Sequence, residues 1–132
     1  MVEIITNKLA LSRWYRHEVG ESGEDRRCVA VGLKRNGKIV AAAIFRHFFW
    51  PDIEIHFAAT GTLTEDYTRE VFRYPFIEAG ALHLTAPIAG NNKKCIRLAE
   101  HAGFVQEGIK RNAHKDGDLL LYGMTKEECQ WL

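Results

Sequence analysis

The sequence is poor in the residues that mark a stapled, metal-bound or membrane-embedded protein. Its three cysteines, Cys28, Cys95 and Cys129, lie far apart, form no CxxC and are odd in number. That argues against a disulfide framework and for a reducing cytoplasm. No apolar run approaches the roughly 20 residues of a membrane span. The longest, Ile39 to Phe45, has the length of a strand. Met1 to Ala10 carries Glu3 and Lys8 without an uninterrupted apolar stretch, a poor signal peptide. The six histidines show no HxH or HExxH spacing, so no metal is expected. Net charge is only +1, which gives no reason to expect nucleic acid or a membrane as partner.

What is present suits one α/β domain over residues 1–132, without repeats or linkers. A chain this long buries roughly two-thirds of its unfolded surface, enough for a core. Asn7 to Val19 reads as a helix with Leu11, Trp14 and Tyr15 on one face and Gly20 as its stop. Arg27 to Lys34 and Lys38 to Phe45 flank Asn36-Gly37, a hairpin signal. Phe48 to Asp52 breaks the strand. Asp52 to Thr60 then alternates, with Ile53, Ile55 and Phe57 on one face and Glu54, His56 and Ala58 on the other. A helix is expected over Thr64 to Gly80, capped by Thr62 or Thr64 and kinked or ended early by Pro75. A short strand, Leu82 to Ala86, stops ahead of Pro87. A helix spans Asn92 to His101, closed by Gly103. Two last strands, Val105 to His114 and Asp118 to Met124, precede a C-terminal tail or short helix. An antiparallel meander entering a βαβ unit gives a mixed sheet with helices on its faces.

The stretch Asn92-Lys93-Lys94-Cys95-Ile96-Arg97-Leu98-Ala99-Glu100-His101-Ala102-Gly103-Phe104 resembles the N-x-x-(S/A)-x-x-L-(Y)-x-(K/H)-x-G-F element of GNAT N-acetyltransferases. Gln106-Glu107-Gly108 and Tyr122-Gly123-Met124 resemble the last two strands of that family, and especially its branch of ribosomal-protein acetyltransferases and small phage-encoded relatives. The resemblance implies an acyl-CoA N-acyltransferase fold, with a central twisted, mostly antiparallel sheet and helices on both faces. It implies transfer of acetyl from acetyl-CoA to a primary amine by direct attack in a ternary complex. It also implies that Asn92, Lys93, Lys94 and Cys95 lie against the cofactor, and that the chain associates into a homodimer through its last strands.

Ile53 to Ala59 is similar to the fourth strand of such enzymes, where some members carry a glutamate as general base. The chemistry needs one, because an amine with pKa about 10.4 must lose a proton before it attacks a thioester. Glu54 is the expected base, its pKa raised by desolvation, and His56 on the same face is expected to tune it or hold a water. Backbone groups of Phe57, Ala58 and Ala59 are expected to pair with the cofactor as an added strand would. The plainer readings are a solvent-facing carboxylate for Glu54, a surface histidine for His56, an N-cap for Asn92 and a small buried residue for Cys95.

Two positions depart from the family pattern. The phosphate-binding loop corresponds to Thr60 to Asp66, with one glycine, no arginine or glutamine, and Glu65 and Asp66 where an anion would sit. Lys93 and Lys94 are expected to offset that repulsion. Ala99 stands where relatives place a tyrosine acid, a role open to Tyr122 or Cys95. These departures motivate an alternative, a catalytically degenerate relative acting as a binding or inhibitory module. The acceptor stays open between a small molecule such as a polyamine or aminoglycoside, a protein or peptide amine, and a modified nucleobase. Phe48-Phe49-Trp50 reads as a packed loop or an acceptor wall. Lys110, Arg111, His114 and Lys115 read as a solvated hairpin.

Overall fold

The computed structural model describes residues 1–132 and begins with a strand the patterning did not indicate. This is β1 (Val2–Ile5), almost wholly exposed, which pairs antiparallel with β2 (Val29–Arg35). Four residues on a sheet edge bury too little apolar surface to leave a period in the sequence. Helix α1 (Lys8–Glu18) lies between them. Asn7 caps it, its Oδ1 accepting from the Ala10 N–H at 3.0 Å, and Gly20 ends it at φ 81°.

Asn36 and Gly37 turn the chain with φ of 52° and 79°, the two positive values a type I′ turn requires. They join β2 to β3 (Lys38–Phe49). β3 explains the longest apolar run. Ala41, Ala43 and Phe45 face one side of the sheet and Ala42 and Ile44 the other, and all five are buried. A central strand covered on both faces reads as continuous rather than alternating. β3 runs further than expected, through Phe49, because a bulge between Arg46 and Phe49 with His47 at φ 55° keeps it paired with β4 (Asp52–Ala59). The break falls at Trp50-Pro51 alone.

Helix α2 (Glu65–Arg73) takes Thr64 as cap and passes at Pro75 into a π-helical turn, Tyr74–Glu78. The wider turn absorbs the missing donor, so the chain stays helical almost to Gly80. β5 (His83–Ala89) continues through Pro87. The missing N–H is tolerated because past Thr85 this strand is paired on one side only. Helix α3 (Lys93–Ala102) follows, closed by Gly103 at φ 111°, and then β6 (Val105–His114) and β7 (Gly117–Thr125).

The seven strands form one sheet in the order β1-β2-β3-β4-β5-β7-β6, antiparallel throughout except β4 with β5. Helices cover both faces. α1 lays Leu11 over Cys28, Ala30, Ala42 and Ile44. On the other face α2 and the π turn pack Tyr67, Phe72 and Phe76 against Phe45, Leu84 and Met124. The α3 residues Cys95, Ile96, Ala99 and Ala102 join that second cluster from its edge. Burying one such leucine or phenylalanine stabilises by about 1.5–3 kcal/mol. No helix is long and apolar enough to cross a membrane.

Candidate active site

The parallel pairing of β4 with β5 is short. It registers Asp52 with His83, Ile53 with Leu84 and Glu54 with Thr85, and then stops. β4 goes on to Ala59 and β5 to Ala89, so the two strands splay. A groove of about 1160 Å³ opens at the splay. Tyr15 of α1, Arg46 of β3 and Glu54 and His56 of β4 line one side, and Asn92, Cys95 and Ala99 line the α3 side.

Glu54 and His56 are brought together as expected, two residues apart on one face of β4. His56 Nε2 and Glu54 Oε1 are 2.5 Å apart, and His47 Nε2 lies 3.8 Å from the same oxygen. The expected rise in the Glu54 pKa is corrected. Burial pushes it up, but the His56 hydrogen bond and the charges of His56, His47 and Arg46 outweigh that, leaving the carboxyl below its ordinary range. Glu54 is therefore ionised at neutral pH and is a weak base alone. Beside an ionised Glu54, the His56 tautomer with hydrogen on Nε2 donates to the carboxylate and leaves Nδ1 as acceptor. Arg46 shares its charge with Asp25 at 3.3 Å, while its Nε is buried without a partner.

Past Glu54, the β5-facing side of β4 has no strand partner. Phe57 lines the groove beside the Tyr67 ring, Ala58 pairs with Ala42 on β3, and the Ala59 carbonyl accepts from Lys94 Nζ at 2.9 Å. Asn92 is the N-cap of α3, its Oδ1 accepting from the Cys95 N–H at 3.2 Å. Lys93 Nζ donates to the Gly90 carbonyl at 3.1 Å. Both lysines are thus tied to backbone carbonyls rather than aimed at the start of α2. Cys95 faces the groove, and burial pushes its thiol up.

The start of α2 differs from its sequence reading. Glu65 is paired with Arg69 at 2.8 Å, which leaves Asp66 as the acid without an ionic partner. The arginine missing from the loop comes from the end of β2. A Cβ added at Gly61 would lie 3.4 Å from Arg35 Nη1, so that guanidinium sits beside the loop. Only the hairpin register carries it there, and no local motif signals it.

Three further expectations are corrected. Tyr122 is buried with its hydroxyl on Glu100 at 3.3 Å and does not line the groove, so it is no donor to the site. Phe49 and Trp50 are each 74% exposed and lie outside the groove, neither a packed loop nor an acceptor wall. Lys110, His114 and Lys115 line a rim of the groove, whereas Arg111 does not. Sequence reasoning also missed a polar chain beside the splay. His83 Nδ1 meets Asp52 at 2.7 Å and its Nε2 meets Glu107 at 3.0 Å, while Thr85 Oγ1 donates to Asp52 at 3.0 Å.

No family model matches the chain, and no curated protein matches it in sequence. Solved structures do match in fold. A mutant spermidine N-acetyltransferase from Vibrio cholerae superposes with a TM-score of 0.75 at 11% identity, over 99% of this chain and 96% of that one. The ribosomal-protein-S18-alanine N-acetyltransferase from Escherichia coli gives 0.68 at 18% identity, over 95% and 94%. An acetyltransferase of the GNAT family from Streptococcus pneumoniae gives 0.72 at 14%, over 95% and 99%. The fold is that of the GNAT acetyltransferases.

Proposed function

We propose that this chain is an N-acetyltransferase that moves acetyl from acetyl-CoA to a primary amine within a ternary complex. The observation that carries the reading is the splay of β4 from β5, with the Glu54–His56 pair in its wall. The groove suits an acyl-CoA. Unpaired backbone along Ile55 to Ala59 offers the hydrogen bonds of an added strand. Arg35 and the N-terminal amides of α2 offer a diphosphate its counter-charge. Bound there, acetyl-CoA would supply an activated acyl group.

The residues of the chain then have separate tasks. His56 Nδ1 takes the proton from the amine, and Glu54 holds the ring and stabilises the imidazolium that forms. The walls fix the two reactants side by side, which is where most of the rate comes from. Proteins of this fold named for spermidine and for the alanine of ribosomal protein S18 support an amine acceptor, small molecule or protein. A cytoplasmic site of action follows from the thiol chemistry of its cysteines. Association through β6 and β7 into a homodimer belongs to the same reading.

A second reading, a binding module without turnover, rests on Asp66 and Ala99. The pairing of Glu65 with Arg69 and the position of Arg35 weaken it. Calorimetry with acetyl-CoA followed by a free-thiol release assay over candidate amines separates the two. Binding with turnover supports the enzyme, binding without turnover supports the module, and no heat at high micromolar ligand overturns both.

A further inference from the structure

Four hydroxyl side chains line the groove, and three are engaged within the chain. Tyr67 Oη donates to the Val31 carbonyl at 2.8 Å, Thr68 Oγ1 to the Thr64 carbonyl at 3.1 Å, and Thr85 Oγ1 to Asp52 at 3.0 Å. Tyr15 is the fourth, and its hydroxyl has no hydrogen-bond partner. Its ring stands edge-on to His56, centroids 6.2 Å apart at 67°. Cys95, on the α3 side, is close enough for its charge to act on the phenol. Tyr15 therefore reaches between the proton-accepting pair and the wall where Ala99 has nothing to donate.

Cleaving a thioester places an electron pair on sulfur. A donor fixed in advance stabilises that charge without reorganisation at the moment of reaction. We infer that Tyr15 donates a hydrogen bond from its Oη to the sulfur of the acyl donor as the C–S bond breaks, an inference that rests on the acyl-transfer reading above. In that step the amine nitrogen is bonded to the carbonyl carbon, the electron pair of the broken bond stays on sulfur, and the amine's proton rests on His56. Tyr15 keeps its own proton. Burial pushes its phenol up to about 12, well above a thiol at about 8.5, so it hydrogen-bonds the thiolate rather than protonating it. The groups around it do not reverse this. Arg46 and Arg16 act to lower the phenol, Cys95 and Glu21 to raise it, and Glu54 is engaged with His56.

The test compares wild type, Tyr15→Phe and Cys95→Ala. Calorimetry with free CoA from about pH 7 to about pH 10 reads whether the bound sulfur is favoured as thiolate. Wild type and Cys95→Ala should bind about tenfold tighter as the thiol ionises, and Tyr15→Phe should lose that gain. With acetyl-CoA and a working amine, Tyr15→Phe should lower kcat about 10–100-fold while KM stays within about threefold. An unchanged melting temperature of Tyr15→Phe separates this from a folding defect. The same rise in affinity for Tyr15→Phe, or its loss in Cys95→Ala alone, overturns the assignment. Absence of CoA binding by wild type overturns the acyl-transfer reading first and this one with it.

Discussion

Lys94 Nζ donates to the Ala59 carbonyl at 2.9 Å, joining the first turn of α3 to the last residue of β4 across the splay. The contact fills part of the ladder that β5 leaves unmade. It also engages the amine that the sequence offered as a phosphate ligand, while Arg35, from the other end of the sheet, sits where a phosphate would be met.

This division of labour is measurable. Arg35→Ala should weaken acetyl-CoA binding by about tenfold, the loss of a charge-assisted contact. Lys94→Met should change it by less than about threefold, because its stem still packs and its head is engaged elsewhere. Asp66→Lys should tighten binding, since that acid has no internal counter-charge. Calorimetry reads all three, and a larger loss for Lys94→Met than for Arg35→Ala would reverse the assignment of the phosphate site.

The Glu54–His56 pair predicts a joint loss. Glu54→Gln and His56→Ala should each lower kcat by about 10²–10⁴-fold, with acetyl-CoA affinity nearly unchanged. Glu54→Gln keeps the shape and removes the charge that the imidazolium needs. Full turnover by His56→Ala, read in the thiol-release assay, would return the base role to Glu54 or to water.

Packing of α1 on the sheet depends on a glycine. A Cβ at Gly32 would stand 2.2 Å from Leu11 Cδ2 and 3.0 Å from Cδ1, and Leu11 is fully buried. Gly32→Ala should cost about 1–3 kcal/mol by overpacking, and Leu11→Ala about 2–5 kcal/mol by leaving a cavity. The double variant should cost less than their sum, because each change relieves the other. Additive costs in urea denaturation would show that the two residues are not in contact.

His83 supplies the pH dependence of stability. Burial acts to lower its pKa, but the hydrogen bonds to Asp52 and Glu107 and the charges of those carboxylates outweigh it, so the imidazole is held above its ordinary 6.5. The folded state then binds that proton more tightly than the unfolded state. Its stabilisation is complete below about pH 6.5 and is lost as pH rises through the higher folded value. Wild type should exceed His83→Gln in denaturation free energy at pH 6 by more than at pH 9. Glu128 and Thr85 are the remaining polar neighbours and carry no titration in that window. Parallel curves would remove His83 from this role.

The local signals in the chain were sufficient for local structure. Asn7, Thr64 and Asn92 cap the helices they precede, Asn36-Gly37 makes the hairpin, and Gly103 closes α3, because each acts on backbone groups within a few residues. The alternation of Ile53 to Ala58 put Glu54 and His56 on one face for the same reason. What the sequence could not decide depended on neighbours far along the chain. β1 exists only because β2 pairs with it, and Pro87 stays in a strand only because one side of β5 is free. The pKa of Glu54 falls because His47, His56 and Arg46 converge on it. Tyr15, an apolar-face residue in the helical pattern of α1, becomes the free hydroxyl of the groove only once α1 packs over β4. Burial, charge and the splay are properties of the assembled sheet, and none of them is carried by the residues one at a time.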